Sequence, residues 1–131
     1  MLNTILTVIV VAFLLYIVGQ QVYFMIQRKR VGTQLEEEDF NAGMRKAQII
    51  DLREAKYFDS GHILGARNIP YSQMKQRYNE IRPDLPVYLY DQGRTLSTRA
   101  AILLHRKGYK QIFWLKRGYQ SWDGKTKRKK Y

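Results

Sequence analysis

Across residues 1–27 the chain carries no charged side chain, and the three residues that follow are Arg28, Lys29 and Arg30. Residues 5–19 are almost wholly apolar, Gln20 and Gln21 interrupt the run, and residues 22–26 resume it. A helix over residues 2–26 would be about 37 Å long at 1.5 Å per residue, enough to cross about 30 Å of hydrocarbon with some tilt. Tyr23 is expected near the headgroups, and Tyr16 either there or within the span itself. A cleaved secretory leader places its basic residues before the apolar run; here the order is reversed. A buried core helix is disfavoured because so long an uncharged run has no core to enter in so short a chain. The run therefore predicts a membrane anchor over residues 1–27, followed by a basic junction over 28–32. The excess of cations on its C-terminal side predicts an N-terminus outside the cell membrane and a cytoplasmic remainder.

That remainder, residues 33–124, alternates short apolar runs with amphipathic ones, the pattern of an α/β domain with a mostly parallel sheet. Residues 87–90 (Val-Tyr-Leu-Tyr) read as a buried strand, residues 91–96 as a loop, and Ser97 as the N-cap of a helix running to Lys107, with Gly108 as its stop. Earlier, Thr33-Gln34-Leu35-Glu36 has the form of a capping box, with Thr33 as N-cap of a short acidic helix ending near Gly43. Residues 47–52 and 66–69 read as strands, 55–58 as a helical turn, 71–81 as a helix and 111–115 as a further strand. A strand feeding a loop that opens onto a helix N-terminus is an anion-binding arrangement, because free N–H groups and the helix dipole converge there. The loop Asp91, Gln92, Gly93, Arg94, Thr95, Leu96 and Ser97 is the candidate ligand site.

Composition narrows the chemistry. There is no cysteine in the 131 residues, which removes disulfides, thiolate metal sites and thiol nucleophiles together. Lys and Arg number 23 against 11 Asp and Glu, a net charge of +12. Residues 125–131 hold five of those cations and are expected to form a tail outside the core. In a chain already tethered to a bilayer, anionic headgroups of the inner leaflet are the simplest partner for such a tail. A protein partner is the second expectation, and nucleic acid is disfavoured because no aromatic–basic motif accompanies the charge. No cofactor or metal is expected, since no carboxylate cluster or histidine pair stands at ligand spacing.

The order of motifs resembles the rhodanese family. Ile50-Asp51-Leu52-Arg53-Glu54 is followed by Gly61-His62-Ile63-Leu64-Gly65-Ala66-Arg67-Asn68-Ile69-Pro70, then by a strand, a loop and an Ala-rich helix, and finally by Gly108-Tyr109, Leu115, Gly118 and Trp122. The resemblance covers roughly residues 33–122 and implies a small α/β sulfurtransferase fold. In that family a cysteine at the head of the loop carries sulfur as a persulfide, in a pattern close to C-x-x-G-x-R-S. Aligned on Ser97, that pattern puts Asp91 in the cysteine position and Leu96 in the arginine position, with Gly93 one residue early. Arg94 and Arg99 are nearby but do not align.

A carboxylate can occupy a site built for an anion, but persulfide formation needs a thiolate. The resemblance without its cysteine therefore implies a binding or regulatory module rather than an enzyme. The alternative is an enzyme that uses the same loop in another way, for example an aspartyl nucleophile acting on phosphate esters. On the first reading Asp91 fills the loop itself, accepting backbone N–H bonds and stabilising the helix start. Asp51 and Arg53 are expected to hold loops in place, and His62 to bond loop backbone. Trp114, Tyr119 and Trp122 are expected to pack rather than to bind a ligand. His105, late on its helix, is expected to favour the helix C-terminus or face solvent.

Overall fold

A computed structural model describes residues 1–128. Lys129, Lys130 and Tyr131, part of the expected tail, lie outside the described residues. The chain divides into two compact units, Met1–Arg30 and the chain from Val31 onward.

The first unit is a single helix, α1 (Leu2–Val31). Leu2–Tyr23 is strongly apolar and none of it is buried within the protein, so by length and composition it is a candidate membrane span. Its apolar side chains point in every direction: Ile9, Phe13, Leu14, Leu15 and Val18 are all exposed. A helix that is apolar all round has no polar face to turn toward water.

The second unit is built on a five-stranded parallel sheet with spatial order β1-β6-β5-β2-β4. Its strands are β1 (Thr33–Leu35), β2 (Gln48–Asp51), β4 (Arg67–Asn68), β5 (Val87–Tyr90) and β6 (Ile112–Leu115). The helices are α2 (Glu37–Gly43), α3 (Ala55–Ser60), α4 (Met74–Arg77) and α5 (Thr95–Arg106). Alternate side chains of the central strands enter two separate cores, as the period of a strand requires. Val87, Leu89, Ile50, Ile112 and Trp114 face α5, where Ala100, Ala101 and Leu104 meet them. Tyr90, Ile49 and Leu115 face the other way, onto Phe40 and Ile63. Burial on both faces is why residues 87–90 are apolar without alternation. The end of α5 is tied down by Tyr109, whose hydroxyl donates to the carbonyls of Ile81 (2.5 Å) and Tyr78 (2.8 Å); burial pushes that phenol's pKa up.

Four expectations about elements are corrected. Thr33 does not cap a helix. Residues 33–35 form the edge strand β1, with Thr33 opposite Phe113 and Leu35 opposite Leu115. Helix α2 starts only at Glu37, and the Glu36 carboxylate instead meets Lys116 at 3.0 Å. A parallel ladder along β6 outweighs a capping box, which contributes only about 1 kcal/mol. The helix expected over residues 71–81 is three short pieces, with 3-10 turns at Tyr71–Gln73 and Tyr78–Glu80 on either side of α4. Its apolar positions Met74 and Ile81 are buried as that spacing demands, but the backbone leaves helical geometry at Gln73 (φ −109°) and Arg77 (φ −116°).

The third correction is the tail. Thr126–Lys127 is a strand, β7, paired antiparallel with β3 (His62–Ile63). Leu64 N–H donates to the Lys125 carbonyl at 3.0 Å, and Trp122 Nε1 donates to the same oxygen at 3.2 Å. The segment is rich in basic side chains, but its backbone pairs with β3, so residues 125–127 are not a free tail. The fourth correction concerns Ser97 and belongs to the site.

Candidate functional site

The loop after β5 lies at the carboxyl ends of the parallel strands, where open α/β sheets place their ligands. Helix α5 starts at Thr95, two residues earlier than expected, with Arg94 at its N-cap and no side-chain cap from Arg94. Ser97 is therefore inside the first turn, fully buried, and not the N-cap. The capping is done from farther back. The Asp91 carboxylate, itself buried, accepts the N–H of Leu96 (3.2 Å) and of Ser97 (3.3 Å), and the Ser97 hydroxyl (2.5 Å). A carboxylate here meets both the exposed amides and the positive end of the helix dipole. Ser97 reads as a cap in sequence because it is small and polar at the helix start; its hydroxyl is committed to Asp91 instead.

A second strand end holds the loop from the opposite side. Tyr119 N–H donates to the Asp91 carbonyl at 2.8 Å and Gln120 N–H to the Gln92 carbonyl at 3.2 Å. This requires the chain at Gly118 to lie directly on the Gln92 and Gly93 carbonyls with φ +71°, leaving no room for a Cβ. Gly118→Ala is expected to lower stability by about 1–3 kcal/mol through strain and displaced carbonyls. Urea unfolding of the full chain in non-ionic detergent, followed by tryptophan fluorescence, measures it.

Asp51 and Arg53 sit beside the loop as a closed unit. The Arg53 guanidinium contacts Asp51 through Nη2 (2.8 Å) and Nε (3.1 and 3.2 Å), and Nη2 also donates to the Gly61 carbonyl at 2.6 Å. The Arg53 backbone N–H adds a fourth contact to Asp51 at 2.9 Å. The guanidinium carbon lies 4.2 Å from the Tyr119 ring centroid and 5.9 Å from that of Tyr90. Burial acts to lower the Arg53 pKa, but the Asp51 hydrogen bonds and charge outweigh it and the net shift is upward. The Tyr90 phenol is pushed up strongly, first by burial and then by Asp51; it accepts the Ile63 N–H at 3.0 Å. Asn68 ties the same region together by donating to the Asp51 (3.1 Å) and Arg53 (2.9 Å) carbonyls.

Leu52, Arg53, Glu54, Tyr57, Asp91, Gln92 and Leu96 line an open cleft of about 400 Å³. Asp91 thus lies at the wall of a cavity, with its carboxylate already bonded to the loop. Arg94 and Thr95 are exposed and do not line it, and neither does Arg99. His62 is also elsewhere: its Nδ1 lies 2.7 Å from the Phe58 carbonyl, to which it donates, and its ring stacks on Phe58 at 3.6 Å. Tyr119 does more than pack, since it covers Arg53 and ties the loop. Its position just after Gly118, in the turn following a strand, is the sequence signal for that role. Among the described residues no group of three or more His, Asp or Glu side chains is placed to hold a metal ion.

Comparison with known proteins fixes the family. Over 130 residues the chain is 52% identical to the uncharacterized protein YqhL of Bacillus subtilis, covering 99% of this chain and 100% of that one. It is 30% identical over 78 residues to the putative sulfur carrier protein YrkF of the same organism, covering 60% of this chain and 42% of that one. The solution structure of the rhodanese-like domain of Alr3790 from Anabaena superposes with a TM-score of 0.66 at 22% identity, covering 72% of this chain and 78% of that one. Residues 36–125 match the family model for the rhodanese-like domain, and the chain belongs to that family.

Proposed function

We propose that this protein is a membrane-anchored rhodanese-like binding or regulatory module without sulfurtransferase activity. One observation carries the reading: the carboxylate of Asp91, the residue that the motif aligned on Ser97 sets in the family's cysteine position, is bonded to the amides of the helix start. A persulfide needs a thiolate sulfur, and the chain has no cysteine. The carboxylate also supplies the negative charge that the loop amides and helix dipole would otherwise draw from a bound anion. Thiosulfate:cyanide transfer by the full chain tests the reading, and thiocyanate release at background level is the expected result.

The membrane part of the proposal rests on the apolar span Leu2–Tyr23 and on the three cations directly after residue 27. These favour an N-terminus outside and a cytoplasmic domain. The basic residues from 125 onward would then lie within reach of anionic headgroups, each cation contributing about 1 kcal/mol near such a surface. Protease added to intact cells is expected to leave the domain uncut and to digest it once the membrane is opened. Digestion in intact cells would reverse the orientation.

A further inference from the structure

The outer face of α5 carries a second feature, remote in character from the loop. Arg99, Ile102, Leu103 and Arg106 recur at i, i+3, i+4 and i+7 and share one side of the helix. Between them and the segment 71–75 runs an open groove of about 540 Å³, lined by Tyr71, Lys75, Arg99, Ile102, Leu103, Arg106 and Lys107. Tyr71, Ile102 and Leu103 are half-buried and rest on the core, forming an apolar floor. Lys75, Arg99, Arg106 and Lys107 are exposed and form the rim. No carboxylate lines the groove. Among the described residues none of these four cations makes an ion pair, although Lys107 lies 5.0 Å from the Tyr78 ring centroid. Some cations elsewhere on the domain are paired, as Arg67 and Arg77 are with Glu80 and Arg82 is with Asp84; what sets the groove apart is four cations gathered around one apolar floor.

From this arrangement we infer that the α4–α5 groove is a docking site for an acidic amphipathic segment of another protein. Charge complementarity sets the sign of the partner, since four like charges around one depression are relieved only by anions from outside. The apolar floor sets its form. A planar headgroup surface meets the exposed rim, whereas the half-buried Ile102 and Leu103 call for side chains that enter the groove. A helix laid in the groove can place apolar side chains on the floor and carboxylates against the rim. Arg99 and Arg106 are about 10 Å apart along α5, two helical turns. Carboxylates at i and i+7, flanking apolar residues at i+3 and i+4, match that spacing. The site is separate from the Asp91 loop and stands whether or not that loop transfers sulfur.

The test uses the full chain in non-ionic detergent and a fluorescein-labelled acidic peptide with Glu at i and i+7 and Leu at i+3 and i+4, read by anisotropy. Binding that weakens with added salt is expected, and Arg99→Glu with Arg106→Glu should weaken it by about tenfold or more. Arg45→Glu with Lys46→Glu makes the same change in net charge at exposed positions outside the groove and should leave binding within about twofold. Ile102→Asn, and replacement of the two peptide leucines by serine, should each weaken it as well. Equal losses from both charge-reversal pairs would reduce the effect to bulk charge and overturn the docking site. The proposal also fails if the leucine-free peptide binds as well as the parent. Displacement of the peptide by phosphatidylglycerol vesicles, but not by phosphatidylcholine vesicles, would assign the groove to the membrane and likewise overturn it.

Discussion

The purified chain in non-ionic detergent is expected to release no thiocyanate from thiosulfate and cyanide above buffer, and Asp91→Cys alone is expected to add little. In sulfur transfer a thiolate attacks the outer sulfur of thiosulfate, the S–S bond breaks, and sulfite leaves with the electron pair. The carboxylate of Asp91 has no sulfur to hold the product, and its oxygens already accept two backbone N–H groups and a hydroxyl. A cysteine placed there would gain the helix start, which lowers thiol pKa values. It would still face Leu96 where the family pattern has arginine, so an incoming dianion would find no side-chain cation aligned with it. Asp91→Cys with Leu96→Arg should therefore give clear turnover where the single substitution gives little. Asp91→Ala should show no activity and lose about 0.5–2 kcal/mol of stability, because Leu96 and Ser97 N–H lose their acceptor. Wild-type turnover that vanishes in Asp91→Ala would overturn the non-enzyme reading and make Asp91 a catalytic residue.

What could be read from the chain depended on the range of the forces involved. The strand over residues 87–90 and the Ala-rich face of α5 were readable because burial on two faces and helical spacing leave a local pattern. The assignment of Asp91 to the family's cysteine position rests on the motif aligned on Ser97. What failed was local capping chemistry in competition with distant partners. Thr33 has the neighbours of an N-cap, yet β6, nearly eighty residues on, takes its backbone into a sheet. Ser97 has the chemistry of an N-cap, yet the Asp91 carboxylate reaches the helix first and draws the serine hydroxyl to itself. The basic segment after residue 124 looked unable to pack because its side chains are charged. Its backbone was the part that mattered, and no side-chain pattern announces a two-residue pairing with His62 and Ile63. The role of Gly118 was hidden for the same reason, since only the approach of the Gln92 and Gly93 carbonyls makes a side chain there impossible.

Arg53→Ala is expected to be the most damaging single substitution near the site, at about 3–5 kcal/mol. Removing one member of a buried ion pair leaves the other charged and without compensation, and Asp51 is fully buried while Arg53 is 7% exposed. The loss reaches further than the pair. The Gly61 carbonyl loses its donor, Tyr119 loses the cation beneath its ring, and Tyr119 is the residue whose N–H holds the Asp91 carbonyl. For a domain of this size a loss of 1 kcal/mol lowers the melting temperature by about 4 °C, so a fall of about 12–20 °C is expected. Arg53→Lys keeps the charge but has one nitrogen to divide between Asp51 and the Gly61 carbonyl, and it cannot stack as a plane; its loss should be smaller but still clear. Replacing the pair together, as Asp51→Leu with Arg53→Met, removes both charges at once and should cost less than Arg53→Ala alone. Thermal unfolding of the full chain in detergent, followed by fluorescence of Trp114 and Trp122, reads all three. A shift of only a few degrees in Arg53→Ala would mean that solvent reaches Asp51, and that the two tyrosines rather than the ion pair hold this end of the sheet together.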